Sequence, residues 1–214
     1  SRFYQTSGRF RAPQRIQCGW WHSAALTTCL STVIGLAFGI PVSLLVTWSL
    51  SPEALAILDA RFFSFVWNSA LLSTLAATAG VVVGLPLAYL ASRKPTWLNT
   101  GCLQAAYAGY VLPGPVAALA VLVLFLKVLP FFYGTVIVLI VAYVLHYLPA
   151  GLQSLEPSIQ QITPNLEEVA RTLGLTVRET WRRVTLPLIR NGVIVAWVLI
   201  FLQTMKELPA TLLL

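Results

Sequence analysis

The charged residues of this chain are concentrated in residues 156–190, which hold nearly half of them. Within this segment, Thr163 followed by Pro164 is typical of a helix N-terminus. Gly174 is typical of the left-handed residue at which a helix ends. The segment therefore predicts a helix of about ten residues. Its glutamate and arginine side chains could bind a second protein or the phosphates of a nucleic acid.

A second helix is predicted directly after that glycine. Thr176 and Glu179 have the spacing of a capping box, in which each side chain caps a backbone N–H of the other residue. This helix is expected to run to the region of Pro187. Glu179 and Arg183, one turn apart, are expected to form a solvated helix face.

DNA binding is one function that such a helical pair could have. Ala170, Gly174 and Val184 match the apolar and turn positions of a helix-turn-helix. The basic side chains that could face phosphates are Arg178, Arg182 and Arg183. The context opposes this function, because no third helix completes a core and apolar stretches flank the pair. We therefore expect no nucleic-acid partner.

Elsewhere, the sequence has no pattern of an enzyme or a metal site. It lacks G-x-x-x-x-G-K-[ST], so ATP and Mg²⁺ are expected on another polypeptide, with no cofactor and no catalytic residue in this chain. His22 and His146 each lack a second ligand nearby and are expected to be interfacial or packed. The three cysteines show no C-x-x-C spacing and are expected to be small buried residues. They are Cys18, Cys29 and Cys102.

The elements that position these residues are strongly apolar. The chain is 57% hydrophobic and 10% charged, whereas an average soluble domain has roughly 25% charged residues. Four stretches without charge exceed the about 20 residues that a helix needs to cross a bilayer, and none alternates like a β-barrel strand. A shorter fifth stretch can also span if Lys206 snorkels. The prediction is an all-α, polytopic membrane protein with spans at about residues 23–51, 62–92, 97–126, 130–152 and 188–206.

The basic residues orient these spans, because lysine and arginine are retained in short cytoplasmic loops. Eleven of them fall before the first span, between the second and third, or between the fourth and fifth. They are Arg2, Arg9, Arg11, Arg15, Arg93, Lys94, Arg171, Arg178, Arg182, Arg183 and Arg190. The opposite side receives only Arg61, Lys127 and Lys206. The prediction is a cytoplasmic N-terminal segment at 1–21, a membrane domain at 22–214 and a cytoplasmic loop at 153–187.

Few polar residues lie inside the predicted spans. Asn68, Ser69 and Ser73 could border a pathway through the membrane or simply form interhelical hydrogen bonds. Gln203 and Glu207, at the outer end of the last span, could contact a substrate or a delivering protein or act as interfacial anchors. The scarcity of intramembrane carboxylates argues against an ion-coupled secondary transporter.

The helical pair carries a longer pattern. Glu168-Val169-Ala170, Gly174 four residues later, and Val184-Thr185-Leu186-Pro187 after nine more residues resemble the EAA loop of ABC importer permeases. That family's pattern is E-A-A, three residues, G, nine residues, I-x-L-P. Here Val169 replaces the middle alanine and Val184 replaces the isoleucine, and every spacing agrees.

Flanking motifs resemble the C-terminal half of ferric-iron importer permeases, which fuse two permease halves. These motifs are residues 2–6 with Gly8, Pro41 with residues 48–50, and residues 206–214. The resemblance implies a type I ABC importer transmembrane domain with the MetI-like fold. It also implies a sixth span after Leu214 and a first permease half that is absent here.

The function implied by the resemblance is that of a permease subunit in the bacterial inner membrane, importing ferric iron by alternating access. Its loop would hold the coupling helix, which inserts into a groove on the ATPase subunit. There Ala170 would permit close approach, leucines would anchor the helix, and Glu167 and Glu168 would pair with basic residues of the partner. The candidate coupling residues are Leu166, Glu167, Glu168, Ala170, Arg171, Leu173, Gly174, Leu175, Leu186 and Pro187.

The implied partners are ABC ATPase subunits, a periplasmic substrate-binding protein and a second permease half, fused or separate. Sulfate, molybdate, thiamine and polyamine importers share the loop, so these substrates remain alternatives. A membrane-anchored DNA-binding regulator and a secondary transporter are the alternatives from other classes.

Overall fold

The computed structural model describes residues 19–52, 55, 60–207 and 211. This part of the chain is helical with connecting turns and contains no strand, which confirms the all-α prediction. Predictions on residues 1–18, and on most of the motif at 206–214, concern residues outside it. The chain divides into two compact units, one of Ser1–Gln5 with Asn68–Leu214 and one of Thr6–Trp67.

The smaller unit contains a long apolar helix, α1, Trp20–Ser49. A turn of π-helix at Gly35–Gly39 interrupts its α-helical hydrogen bonding just before Pro41. A π-turn accommodates a proline that cannot donate the next backbone hydrogen bond. Every residue of α1 is exposed. In lipid such a face needs no protein cover, because the acyl chains are as apolar as leucine.

The described residues of the larger unit form six helices, of which one is interrupted and one is short. Helix α2 is Ala60–Arg93, whose residues from Asn68 onward belong to this unit. The others are α3, Trp97–Ala108; α4, Gly114–Val128; α5, Val136–Gln160; α6, Pro164–Thr172; and α7, Val177–Met205. A 3₁₀ turn at Pro130–Phe132 precedes α5.

Glycines bring α2, α5 and α7 into close contact. A Cβ on Gly80 of α2 would lie 2.8 Å from Cδ1 of Ile200 on α7. A Cβ on Gly151 of α5 would lie 2.7 Å from the same atom. A Cβ on Gly192 of α7 would overlap the side chain of Ser158. Small residues are what membrane helices use to approach one another. The largest fully buried apolar residues of this contact are Leu152, Leu155, Ile159, Ile189 and Ile200.

The third predicted span, 97–126, is not one continuous helix. It is divided into α3 and α4 by residues 109–113. Pro113 has no N–H to continue α3 and restricts the residue before it. A Cβ on Gly109 would overlap the carbonyl oxygen of Leu145, so only glycine permits the break to lie this close to α5. The region of the predicted third span therefore forms two shorter helices.

The ends of the last two predicted spans also differ from the structure. Helix α5 begins at Val136 and continues to Gln160, beyond the predicted end at 152. Helix α7 begins at Val177 and passes Pro187 without a break, through a π-turn at Trp181–Thr185. The wider π-turn relieves the clash of the proline ring with the preceding turn. In the described part, α1, α2, α5 and α7 are long and apolar enough to cross a membrane, and α4 is shorter.

The expectation of buried cysteines is wrong for Cys29 and Cys102, which are exposed. Cys29 lies on α1 and Cys102 lies on α3. A thiol behaves as a small apolar group, so a lipid-facing position carries no penalty. Cys18 is outside the described residues.

Candidate functional site

The short helix α6 begins and ends at the residues that the sequence predicts. Thr163 occupies the N-cap position with an extended backbone, although its side chain makes no capping hydrogen bond, and Pro164 is the first helical residue. At the other end, the N–H of Leu175 donates to the Ala170 carbonyl at 3.2 Å. Gly174 has φ +91° and its N–H donates to the Arg171 carbonyl. These two bonds form a Schellman motif, which fixes the C-terminus of α6.

The predicted capping box at the start of α7 is confirmed. The Thr176 hydroxyl oxygen accepts from the Glu179 N–H at 3.3 Å, and the Glu179 carboxylate accepts from the Thr176 N–H at 3.0 Å. Arg183 lies 3.9 Å from the Glu179 carboxylate, with both side chains exposed, as expected for a solvated face. The two caps leave a rigid turn of four residues between α6 and α7.

Glu167 connects α6 to two membrane helices. Arg93 of α2 donates to the Glu167 carboxylate at 3.1 Å, and the Tyr89 hydroxyl, one turn earlier on α2, donates at 2.9 Å. The hydroxyl of Thr185, in the π-turn of α7, donates at 3.2 Å. The side chains of Arg93 and Glu167 are only 11% and 14% exposed. A buried carboxylate with three donors, one of them a guanidinium, is a strongly held group.

Aromatic rings support the same junction. The Tyr89 ring packs edge-on against Trp181 of the π-turn, with centroids 4.8 Å apart. The Arg93 guanidinium lies 5.9 Å from the centroid of the Tyr89 ring. The four residues Tyr89, Arg93, Glu167 and Thr185, called the inner junction below, therefore join α6, α2 and α7 as one packed unit.

Two of the predicted coupling residues face their own chain in this structure. Glu167 was expected to pair with a basic residue of a partner subunit, and its carboxylate binds Arg93 inside the chain. Ala170 was expected to allow a partner to approach, but it is 5% exposed because it packs inward against its own chain. The sequence separation of 74 residues between Arg93 and Glu167 explains why no local pattern predicted the pair.

The other predicted coupling residues lie mainly on the outer surface. Leu173 is 79% exposed and Leu166 is 47% exposed. Leu175 is half-buried; the remaining exposed members are Glu168, Arg171, Gly174, Leu186 and Pro187. Two exposed apolar residues were missed, Val169 and Val177. Their signal was available, since Val169 occupies the middle position of the E-A-A element and Val177 lies in the nine residues after Gly174.

The predicted pathway residues do not form one cluster with a single environment. Asn68 and Ser69 are exposed, Ser73 is buried and Gln203 is half-buried. Glu207 is half-buried and accepts a hydrogen bond from the Tyr147 hydroxyl of α5. His146 is packed, as predicted, with Nδ1 3.1 Å from the Gly109 carbonyl oxygen. No group of three or more His, Cys, Asp or Glu side chains that could hold a metal occurs among the described residues.

Comparison with known proteins identifies the family of this chain. Residues 80–214 match the family described as binding-protein-dependent transport system inner membrane component. This chain therefore belongs to that family of multi-pass inner-membrane proteins, which are non-catalytic permease subunits of ABC transporters. The resemblance drawn from the loop is confirmed at the level of the family.

Three relatives illustrate its range. The Fe(3+)-transport system permease protein FbpB 2 of Haemophilus influenzae is 34% identical over 186 residues, which is 86% of this chain and 37% of the relative. The probable ABC transporter permease protein y4fN of Sinorhizobium fredii is 24% identical, over 86% of this chain and 36% of its own length. A probable molybdenum ABC transporter permease protein of Haloferax volcanii is 29% identical, over 98% and 80%. The chain thus spans little more than a third of the first two relatives.

Proposed function

We propose that this chain is part of the permease of an ATP-driven importer, and that α6 is the helix on which a separate ATPase acts. The observation that carries the proposal is the inner junction. Because Glu167 binds both α2 and the π-turn of α7, a displacement of α6 must move the inner ends of both helices. A loop without such a connection would move alone.

The exposed face of α6 is suited to contact with a protein partner. Leu166, Val169 and Leu173 offer apolar side chains that are 47%, 55% and 79% exposed. Glu168 and Arg171 add one exposed charge of each sign. An apolar contact with a polar rim is the usual composition of a protein interface. The Schellman motif at Gly174 keeps this face from fraying when it is pushed.

The partners and the orientation follow from the same proposal. The loop and the N-terminal segment face the cytoplasm, where the basic residues belong and where ATP and Mg²⁺ are held by the ATPase. A binding protein delivers the substrate from the opposite side. A second permease half, fused or separate, completes the translocation pathway.

Ferric iron is the proposed substrate, because the relative from Haemophilus influenzae is a Fe(3+)-transport permease. Molybdate is the second candidate, because the relative from Haloferax volcanii is a molybdenum permease. Uptake of radiolabelled ferric iron and molybdate by proteoliposomes, with ATP inside and the binding protein outside, separates the two. Iron uptake without molybdate uptake is the expected result.

Cross-linking tests the site of ATPase action. With the native cysteines replaced by serine, Leu173→Cys should form a cross-link to the ATPase whose yield changes when ATP binds. Phe131→Cys is the matched control, because Phe131 is 88% exposed but lies in the turn before α5, on the predicted opposite side. The proposal fails if Leu173→Cys gives no more cross-link to the ATPase than Phe131→Cys.

A further inference from the structure

A break between two helices and the end of a third helix lie beside the same turn of α5. The first is the break between α3 and α4, where the Gly109 carbonyl oxygen lies 3.1 Å from His146 Nδ1. The second is the end of α7 at Met205, after which Glu207 accepts a hydrogen bond from Tyr147. His146 is ten residues from the start of α5 and fourteen from its end. At the helical rise, these separations are about 15 and 21 Å.

Backbone that leaves the helical conformation beside the middle of α5 points to a polar environment there. Backbone groups that leave a helix inside a membrane need polar partners, so such breaks occur where they are buried in protein or line a polar cavity. Broken helices that meet near the middle of the membrane are a recurrent way of building a transport site. Here the break between α3 and α4 and the end of α7 contact consecutive residues of α5, His146 and Tyr147.

A small cavity lies between these breaks. Its volume is about 10 Å³, enough for about one water molecule or one ion. Gly114 and three alanines form its apolar wall. Its polar lining consists of four side chains, Tyr143, His146, Tyr147 and Glu207, called the ion cluster below.

Two polar atoms of the ion cluster, Glu207 Oε1 and His146 Nε2, lie close together beside Gly114, and the Tyr143 hydroxyl forms a hydrogen bond with the Thr211 hydroxyl at 2.6 Å. The position that a Cβ would take on Gly114 lies 3.1 Å from Glu207 Oε1 and 3.7 Å from His146 Nε2. With Nδ1 donating to the Gly109 carbonyl, Nε2 keeps a free lone pair, which is the arrangement of a metal-binding histidine. The Tyr143 and Tyr147 rings lie 6.5 Å apart and are 3% and 6% exposed. Absence of a side chain at Gly114 lets these two groups approach the backbone of α4.

The donor atoms of the ion cluster determine which kind of ligand it can bind. One carboxylate, two phenol oxygens and one imidazole nitrogen suit a hard metal cation that accepts oxygen with nitrogen ligands. The described residues that line the cavity include no lysine or arginine, and Lys206 is exposed. Such a lining attracts a cation and disfavours an oxyanion such as molybdate.

We propose that the ion cluster is a transit site for ferric iron, in which Glu207 and His146 bind the ion and Tyr143 and Tyr147 add phenol oxygens. This inference rests on the proposed function, because the ion is the cargo of that importer. In the present conformation the hydrogen bond from Tyr147 to Glu207 closes the site. Opening of the transporter separates these two side chains and frees their oxygens for the ion. Sequence analysis predicted no metal site because Glu207 is 60 residues from Tyr147.

Direct binding is measured on the complete transporter in nanodiscs, with ferric nitrilotriacetate as the probe. The wild type should bind iron with a visible phenolate-to-iron charge-transfer band. Tyr147→Phe should lose most of this band. Glu207→Gln and Gly114→Ala, which adds a methyl group to the cavity wall, should each weaken binding at least about tenfold.

Transport is measured with the same variants and a matched control. Glu207→Gln should lower ATP-driven iron uptake at least about tenfold, while ATPase stimulation by the binding protein stays within about twofold of wild type, which shows that the variant is folded and coupled. Glu156→Gln is the control, because Glu156 accepts from Tyr107 at 2.5 Å in another tyrosine–glutamate pair, which does not line the cavity. Its iron uptake should match the wild type.

The outcomes separate this inference from the proposed function. Wild-type iron uptake by Glu207→Gln, or binding without a charge-transfer band in the native protein, overturns the transit site and leaves the importer intact. ATP-driven uptake of another solute, with no iron uptake by the wild type, overturns the iron assignment and the transit site with it. Loss of both uptake and band in the ion-cluster variants alone supports the site.

Discussion

The inner junction and the ion cluster each hold a glutamate bound to a tyrosine of a membrane helix, and they differ in what else surrounds the carboxylate. Glu167 accepts from Tyr89 and is paired with Arg93, a permanent cation. Glu207 accepts from Tyr147 in a cavity lined by phenols and an imidazole. A metal ion that displaced the Arg93 guanidinium from Glu167 would leave that guanidinium buried without a partner. Phenols and imidazole can bind a metal themselves, so the first site is suited to transmit force and the second to exchange a ligand.

The largest expected effect comes from breaking the inner junction. Glu167→Ala leaves Arg93 buried without its partner, which should lower the free energy of unfolding by about 3–5 kcal/mol. Denaturant unfolding in detergent measures this. Adding Arg93→Met to Glu167→Ala should recover part of the loss, because the double variant has no uncompensated charge. A double variant as unstable as the single one would show that the pair is not the source of the effect.

An intermediate effect is expected at Gly174, which must hold α6 in place for the inner junction to transmit its motion. Gly174→Val forces a β-branched residue into the left-handed region and should cost about 1–3 kcal/mol. It should also reduce ATP-driven uptake relative to ATP hydrolysis. Gly134→Val is the matched control, because Gly134 has φ +76° and equally open surroundings but lies in the turn before α5. Equal uncoupling by both variants would contradict a specific role of α6.

The smallest effect on stability is expected at Glu207. Glu207→Gln keeps an oxygen that can accept from Tyr147, so the free energy of unfolding should change by less than about 1 kcal/mol. Thermal unfolding in nanodiscs measures this. A loss as large as that of Glu167→Ala would mean that both carboxylates are structural and would remove the distinction between the two regions.

Local chemistry made α6 predictable from the sequence. Pro164, Gly174 and the Thr176–Glu179 box each act within one turn of helix, so their effects need no knowledge of the rest of the fold. The break at residues 109–113 was harder to predict, because hydropathy is high on both sides of it. An average over a sequence window therefore does not detect it. Pro113 and Gly114 were the available signal, since a proline beside a glycine weakens a helix inside a membrane as it does in water.

Contacts between distant segments could not be predicted in this way. The pairs Arg93–Glu167 and Tyr147–Glu207 are separated by 74 and 60 residues, and no local spacing relates their members. Both depend on which faces of α2, α5 and α7 meet, and the glycines that decide this, such as Gly80 and Gly151, are ordinary residues of an apolar helix in the sequence.

The separation of Arg93 and Glu167 along the chain also determines when the inner junction can form during biosynthesis. A ribosome that has just completed α2 must still add 74 residues before the carboxylate exists. During that interval the guanidinium needs water or lipid phosphates at the membrane surface as its partners. The junction therefore closes only after α5 has been synthesised, and a chain released earlier leaves Arg93 exposed at the membrane surface.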